Sequence, residues 1–249
     1  MVAKVVLQAE DIRKRYVDTA EAVDVLKGVS LSLAAGEIVA MEGPSGSGKT
    51  TLLSILGCLL TPTSGRLEIL GSAVDPGRPD LLWKHRRDSI GFVFQQFNLF
   101  PSLTAEENVE YSLNVKGRDG REATREARRW LDAVGLSDRL NFRPRDLSGG
   151  QKQRVAVARA LAGGAPIILA DEPTGNLDLQ AGEHVLDLFR DLARGEGRAL
   201  LIVTHDPKVR RIADRVVSIH DGRLRGQDQD QDQDQDQEQE QELMQEQGA

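Results

Sequence analysis

Apolar residues fall along this chain in two rhythms. Short, nearly unbroken runs stand at Glu37–Glu42, Ile90–Phe94, Ile167–Glu172 and Leu200–His205. Runs of that length between turn residues predict strands buried on both faces, as in a parallel sheet. Val5–Tyr16 and Leu26–Leu33 are also strand-like, with Leu31-Ser32-Leu33 alternating ahead of the Ala34-Ala35-Gly36 turn. They are expected to pack beside the Glu37–Glu42 strand. Gly65–Gly71 alternates between bracketing glycines, and Val216–Ile219 with Gly222–Leu224 predicts a closing hairpin. The stretches Val17–Asp24 and Asp75–Pro79 read as loops.

The second rhythm has the helical period. Thr50–Leu60 and Leu81–Arg87 are expected to be helical, the latter with its basic residues on a solvated face. Thr104 with Glu107 three residues on is a capping-box pattern, opening a helix through about Val115. In Arg121–Val134, the residues Ala123, Ala127, Trp130, Leu131 and Val134 share one face and Gly135 ends the helix, so Trp130 is assigned to the core. Val155–Ala162 continues a helix whose N-terminus lies at Ser148-Gly149-Gly150, and Val185–Ala193 joins two strands as a strand–helix–strand unit. No internal repeat of about 20 to 50 residues is visible.

Composition changes this picture in one place. The formal charge is −7, but five Asp and four Glu with no Lys or Arg lie in residues 227–249, leaving the rest of the chain at +2. The ordered part therefore lacks the basic bias of a dedicated nucleic-acid binder. From Gln227 to Glu242 glutamine alternates strictly with an acid. Such a tract buries nothing and repels itself, so disorder is expected, as a solvating tail or an interaction tail. One cysteine, Cys58, on an apolar helix pattern, reads as a buried structural thiol in a reducing compartment. The N-terminal residues lack a signal peptide's apolar core, and no run approaches about 18 apolar residues, so a soluble cytoplasmic chain is expected.

The candidate chemistry sits at strand ends. Gly43-Pro44-Ser45-Gly46-Ser47-Gly48-Lys49-Thr50-Thr51 fits the phosphate-loop spacing G-x-x-x-x-G-K-[ST] between a strand and a helix. Its glycines let successive N–H groups turn toward one anion, and the helix N-terminus adds partial positive charge. Lys49 would reach the β and γ phosphates of a nucleoside triphosphate and Thr50 would ligate Mg²⁺. Asp171 ends a neighbouring apolar strand, where such loops need a carboxylate for the metal; Glu172 can accept a proton from water, and His205 can donate to the γ-phosphate. In open α/β sheets ligands bind at the carboxyl ends of strands, where Gly43, Gln95, Asp171 and His205 would all lie. Ser148-Gly149-Gly150 is a second helix start able to hold an anion. Tyr16 is either a base-stacking ring or a half-buried strand tyrosine.

With these residues in order, the chain resembles an ABC transporter ATPase subunit over residues 5–225. Six motifs carry the resemblance: Tyr16, the phosphate loop, Gln95 of the glutamine loop, the signature Leu147-Ser148-Gly149-Gly150-Gln151, the Walker B strand with Glu172, and His205. The resemblance implies an α/β P-loop NTPase with a mixed core sheet flanked by helices, an N-terminal antiparallel β subdomain and an inserted α-helical subdomain. It divides residues 1–226 into a core of 1–95 and 166–226 and a helical part of about 96–165, with 227–249 as the acidic tail. It further implies ATP and Mg²⁺ as cofactors, Gln95 joining Thr50 and Asp171 at the metal, and Lys49, Gln95, Glu172 and His205 in catalysis. Two copies would bind head to tail, each ATP between one phosphate loop and the other copy's Ser148, Gly149, Gly150 and Gln151, with Asp178 between the sites. The groove near Gln95–Glu107 would receive an integral membrane permease at the cytoplasmic face, and no nucleic acid is expected. Gly91–Leu99 and Asp171–Asp178 are similar to the lipoprotein-release and macrolide-export branch, which the cell-division ATPase also resembles. Two roles follow: driving export or extraction, or acting as a regulatory switch on a cell-wall membrane protein.

Overall fold

The computed structural model describes residues 4–17 and 22–225, with 79 and 80 described by backbone alone. The acidic tail expected at 227–249 lies outside the described residues. Two long strands come first, β1 (Val5–Val17) and β2 (Ala22–Ala34), then β3 (Ile38–Glu42) and helix α1 (Lys49–Leu56). Next are β4 (Ser64–Ile69), β5 (Ser72–Ala73), α2 (Pro79–Ser89) and β6 (Ile90–Val93). Three helices follow, α3 (Ala105–Val115), α4 (Gly120–Ala133) and α5 (Gly149–Leu161). The chain then runs through β7 (Ile167–Asp171), α6 (Leu179–Glu196), β8 (Ala199–Val203), β9 (Arg215–His220) and β10 (Arg223–Arg225).

The strands form two sheets. Six lie in the order β10-β9-β3-β8-β7-β6, parallel except for the antiparallel β9–β10 hairpin, and four lie antiparallel in the order β2-β1-β4-β5. The fold is thus α/β with a mixed core sheet and an antiparallel N-terminal sheet. Period-two alternation makes the larger sheet a middle layer. Ile38, Ala40, Ile168, Ala170, Leu200 and Ile202 face a core shared with α3 to α6, around the fully buried Phe189. Their neighbours Val39, Met41, Ile167, Leu169, Leu201 and Val203 face a second core shared with α1 and the antiparallel sheet. Gly91 of β6 permits close approach to α5, since a Cβ there would stand 2.2 Å from the Ala160 carbonyl oxygen.

Several local expectations are met. Thr104 and Glu107 form a reciprocal capping box, and Trp130 is buried. β1 and β2 pack beside β3 as expected, through the separate antiparallel sheet that covers it. Three are corrected. Val17 and Ala22–Asp24, read as loop, are paired strand residues, while 18–21 lie outside the described residues. This end of the hairpin is exposed, so no buried face imprints a period on its sequence. α1 stops at Leu56 because Gly57 caps it and Cys58 is left-handed at φ 55°, so Cys58 is buried in a turn rather than on the helix. α6 starts at Leu179, ahead of the apolar residues, because the Asp178 carboxylate accepts a 2.8 Å hydrogen bond from the Ala181 N–H.

Candidate active site

The parallel strands deliver their chemistry to one edge. The chain leaves β3 at Gly43, β6 ahead of Gln95, β7 at Glu172 and β8 ahead of His205. A cavity of about 260 Å³ there is lined by Ser45, Gly46, Gly48, Lys49, Thr50 and Thr51 from the loop and α1. Gln95, Asp171, Glu172, Val203 and His205 complete it from the neighbouring strand ends, and Val25 from β2.

The loop's shape depends on glycine at two positions. Gly43 has φ 143° and a Cβ there would lie 2.1 Å from the Ile219 carbonyl oxygen; Gly48 has φ 104° and abuts Leu26 and Val25 of β2. Gly48 is also the N-cap of α1 and brings no side chain to it, so the first N–H groups of the helix are left for an anion. The Ser47 hydroxyl is buried with no partner among the described residues, while its carbonyl accepts from the Gly222 N–H.

Lys49 Nζ donates to the Gly43 and Pro44 carbonyls at 2.6 and 2.8 Å, so the ammonium is folded onto its own loop. Burial lowers its pKa, opposed by the nearby Glu172 and Asp171 carboxylates. Thr50 Oγ1 donates to Asp171 Oδ2 at 2.9 Å. Asp171 is buried, and loss of water raises its pKa against the opposing pull of Thr50 and Lys49. Glu172 stands at φ 49°, a left-handed conformation costly for a non-glycine residue and of the kind that clusters at functional sites. Its Oε2 accepts weakly from Thr204 Oγ1 at 3.3 Å and the His205 N–H at 3.4 Å, and its pKa is raised, chiefly by burial. The His205 ring Nε2 stands 3.8 Å from Glu172 Oε1, too far for a hydrogen bond. The loop bearing His205 is held by Asp206, which accepts from Thr174 Oγ1 and from the Lys208 N–H.

Some anticipated residues stand elsewhere. Tyr16 is half exposed, near Lys14, and does not line the cavity; Val25, two residues beyond its register partner Val23, does. Gly43 opens onto an adjoining cavity with Glu42, Pro44, His205, Pro207 and Arg210. Ser148, Gly149, Gly150, Gln151 and Asp178 do not line the main cavity. Ser148 and Gln151 cap α5 reciprocally, Ser148 Oγ accepting from the Gln151 N–H and Gln151 Oε1 from the Ser148 N–H. Gly150 packs against Asn176 and Leu177. Sequence reading missed Val25, Val203 and Thr204; the one signal for Thr204 was its place beside His205 at a strand end.

Residues 26–175 match the family described as ABC transporter. The chain is 46% identical over 218 residues to the macrolide export ATP-binding/permease protein MacB of Shigella flexneri, covering 88% of this chain and 34% of that protein. It is 47% identical over 224 residues to MacB of Brucella melitensis, covering 90% and 34%. The chain thus spans about a third of the length of these curated relatives. Among solved structures it superposes on the dimeric MJ0796, a bacterial ABC transporter cassette, with TM-score 0.85 and 45% identity, covering 88% of this chain and 96% of that one. A post-hydrolysis dimer of MJ0796 bound to ADP and Pi matches with TM-score 0.83 and 43% identity, covering 88% and 98%. The chain belongs to the ABC transporter family.

Proposed function

We propose that this chain is the ATP-binding and ATP-hydrolysing subunit of an ABC transporter and drives an integral membrane permease for export. The reading rests on the convergence of Lys49, Thr50, Gln95, Asp171, Glu172 and His205 on one cavity at the carboxyl edge of the sheet. The names of its relatives support it: macrolide export for the MacB proteins, and ADP and Pi for the MJ0796 cassette.

The first N–H groups of α1 and the Lys49 ammonium bind the phosphates, Lys49 leaving the Gly43 and Pro44 carbonyls to do so. Thr50, Asp171 and Gln95 offer oxygen donors that suit Mg²⁺, which needs only one or two carboxylates beside phosphate and water. No group of three or more His, Cys, Asp or Glu able to hold a metal lies among the described residues. When bound, Mg²⁺ would neutralise charge on the transferred phosphoryl group. Glu172 takes a proton from the attacking water as its oxygen bonds to the γ-phosphorus and the bond to the bridging oxygen of ADP breaks. Its burial-raised pKa makes it a stronger base. His205 holds that water and donates to the γ-phosphate.

Head-to-tail pairing would bring Ser148, Gly149, Gly150 and Gln151 of a second copy to the same phosphates, with the Asp178 loop between sites; that MJ0796 is dimeric supports pairing of two copies. In this reading the core is 1–95 and 166–226, and about 96–165 is a helical unit beside the permease. No helix among the described residues is long and apolar enough to cross a membrane; in this reading the permease spans it and this chain sits at its cytoplasmic face. A groove of about 680 Å³ with Trp83, Phe92, Phe94, Phe100 and Tyr111 in its walls is the surface offered to the permease.

The test is Glu172→Gln. It should retain ATP binding, lose most turnover and elute as an ATP-dependent dimer on gel filtration. Tagged Glu172→Gln protein with ATP and Mg²⁺ should also recover a permease from detergent-solubilised membranes. Undiminished turnover would remove Glu172 from its role, and a monomer in ATP even with the permease present would remove the paired site.

A further inference from the structure

His205 lies between two cavities. On one side is the space it shares with Glu172 and Lys49. On the other is a cavity of about 350 Å³ lined by Glu42, Gly43, Pro44, His205, Pro207 and Arg210. Each side holds one glutamate. The imidazole is well exposed and stands 3.8 Å from the Glu172 carboxylate, with no hydrogen bond fixing it there. Among the described residues no side-chain hydrogen bond holds the ring toward either cavity.

The glutamate on the far side is not bare. Glu42, the last residue of β3, has its side chain largely buried, and Arg210 covers it with both arms of its guanidinium: Nε donates to Oε1 at 2.6 Å and Nη2 donates to Oε2. Arg210 stands in a short 3-10 turn, Val209–Arg211, on the segment that begins with His205. The remaining carboxylates around the imidazole are also engaged. Asp206 accepts from Thr174 and Lys208, and Asp171 accepts from Thr50. The two-pronged, charge-assisted geometry holds the guanidinium on Glu42, and it cancels a charge at the wall of the cavity that His205 borders.

We infer that Arg210 is a positioning residue which, by neutralising Glu42, leaves Glu172 as the carboxylate toward which His205 turns. The inference rests on the ATPase reading of the site, and it makes an asymmetric forecast. A pair that merely braces the loop is broken equally by removing either partner. A masking residue is different: removing Arg210 exposes Glu42, whereas removing the charge of Glu42 leaves nothing to mask.

The experiment compares steady-state ATPase kinetics and ATP dissociation constants for the parent chain, Arg210→Ala, Glu42→Gln and the double variant. Arg210→Ala should lower kcat about fivefold or more while the ATP dissociation constant stays within about twofold. Glu42→Gln should leave kcat within about twofold of the parent, and combining it with Arg210→Ala should restore kcat to that range. Equal damage from Glu42→Gln, a double variant no better than Arg210→Ala, or an undisturbed Arg210→Ala would each overturn the inference. Far-ultraviolet circular dichroism and Tm of each variant identify any loss that comes from unfolding. If the parent itself hydrolysed no ATP, the functional reading would fail instead, so the two failures are separable.

Discussion

Thr50 Oγ1 and Asp171 Oδ2 are joined by a 2.9 Å hydrogen bond that ties the first turn of α1 to the end of β7. The bond holds a carboxylate that is itself buried, at the wall of the cavity. Because burial raises the Asp171 pKa, the folded chain binds this proton more tightly than the unfolded chain does. The group's favourable contribution is therefore present below the unfolded pKa and is lost as pH rises through the folded one. At neutral pH Asp171 is an electrostatic burden on the nucleotide-free fold. Asp171→Asn should raise Tm at pH 7, on the order of 2 °C by differential scanning calorimetry, while turnover collapses. A lower Tm would show that the Thr50 bond outweighs the burial of charge.

Lys49 is folded onto the Gly43 and Pro44 carbonyls, so its removal costs the loop two hydrogen bonds and, in the proposed role, costs the nucleotide a charge-assisted one. Lys49→Ala should weaken ATP binding about tenfold or more by isothermal titration calorimetry. Unchanged affinity would contradict its assignment to the phosphates.

Gly91 allows α5 to lie directly on β6, and any Cβ there would collide with the Ala160 carbonyl. Backbone cannot yield as a flexible side chain does. Gly91→Ala should destabilise the fold by about 1 to 3 kcal/mol in urea denaturation. Phe189→Ala, which empties the centre of the helical core, should cost about 3 to 5 kcal/mol.

Cys58 has its thiol pKa pushed up to about 11 by burial, with Arg86 opposing. At pH 8 the thiolate is therefore scarce as well as hidden. Labelling by a thiol reagent should be slower than for a free cysteine by about 100-fold or more in the native chain, and rapid in guanidinium. Fast native labelling would mean that the turn after α1 opens readily.

What was legible in the sequence follows from burial. Runs such as Ile167–Asp171 and Ala199–Val203 are covered on both faces, so the only residues that fit them announce the strand. Thr104 and Ser148 satisfy helix starts through bonds to residues three positions on, a purely local device readable without the fold; Asp178 does the same for α6, but it stands well ahead of the apolar stripe and its helix start was missed. Cys58 and the outer end of the first hairpin were misread for the opposite reason. A left-handed turn after Leu56 is decided by the packing of Gly57 against Phe92, which comes from β6, and the exposed strand ends carry no pattern at all. Val25 reaches the cavity wall because β2 passes beside Gly48, a contact between the antiparallel sheet and the phosphate loop that spacing along the chain does not encode.

The alternation that sends Ile38 and Ala40 to one core and Val39 and Met41 to the other has a mechanical consequence. β3, β7 and β8 have five residues each, so this middle layer is a plate only about 17 Å long. Each strand is gripped from both sides by close-packed side chains, which transmit strain rather than absorb it. With so short a plate, the rim stands only a few residues from either end of each strand. There Glu172 and His205 leave adjacent strands, 3.8 Å apart, and their separation is set by the same packing that fixes the two cores.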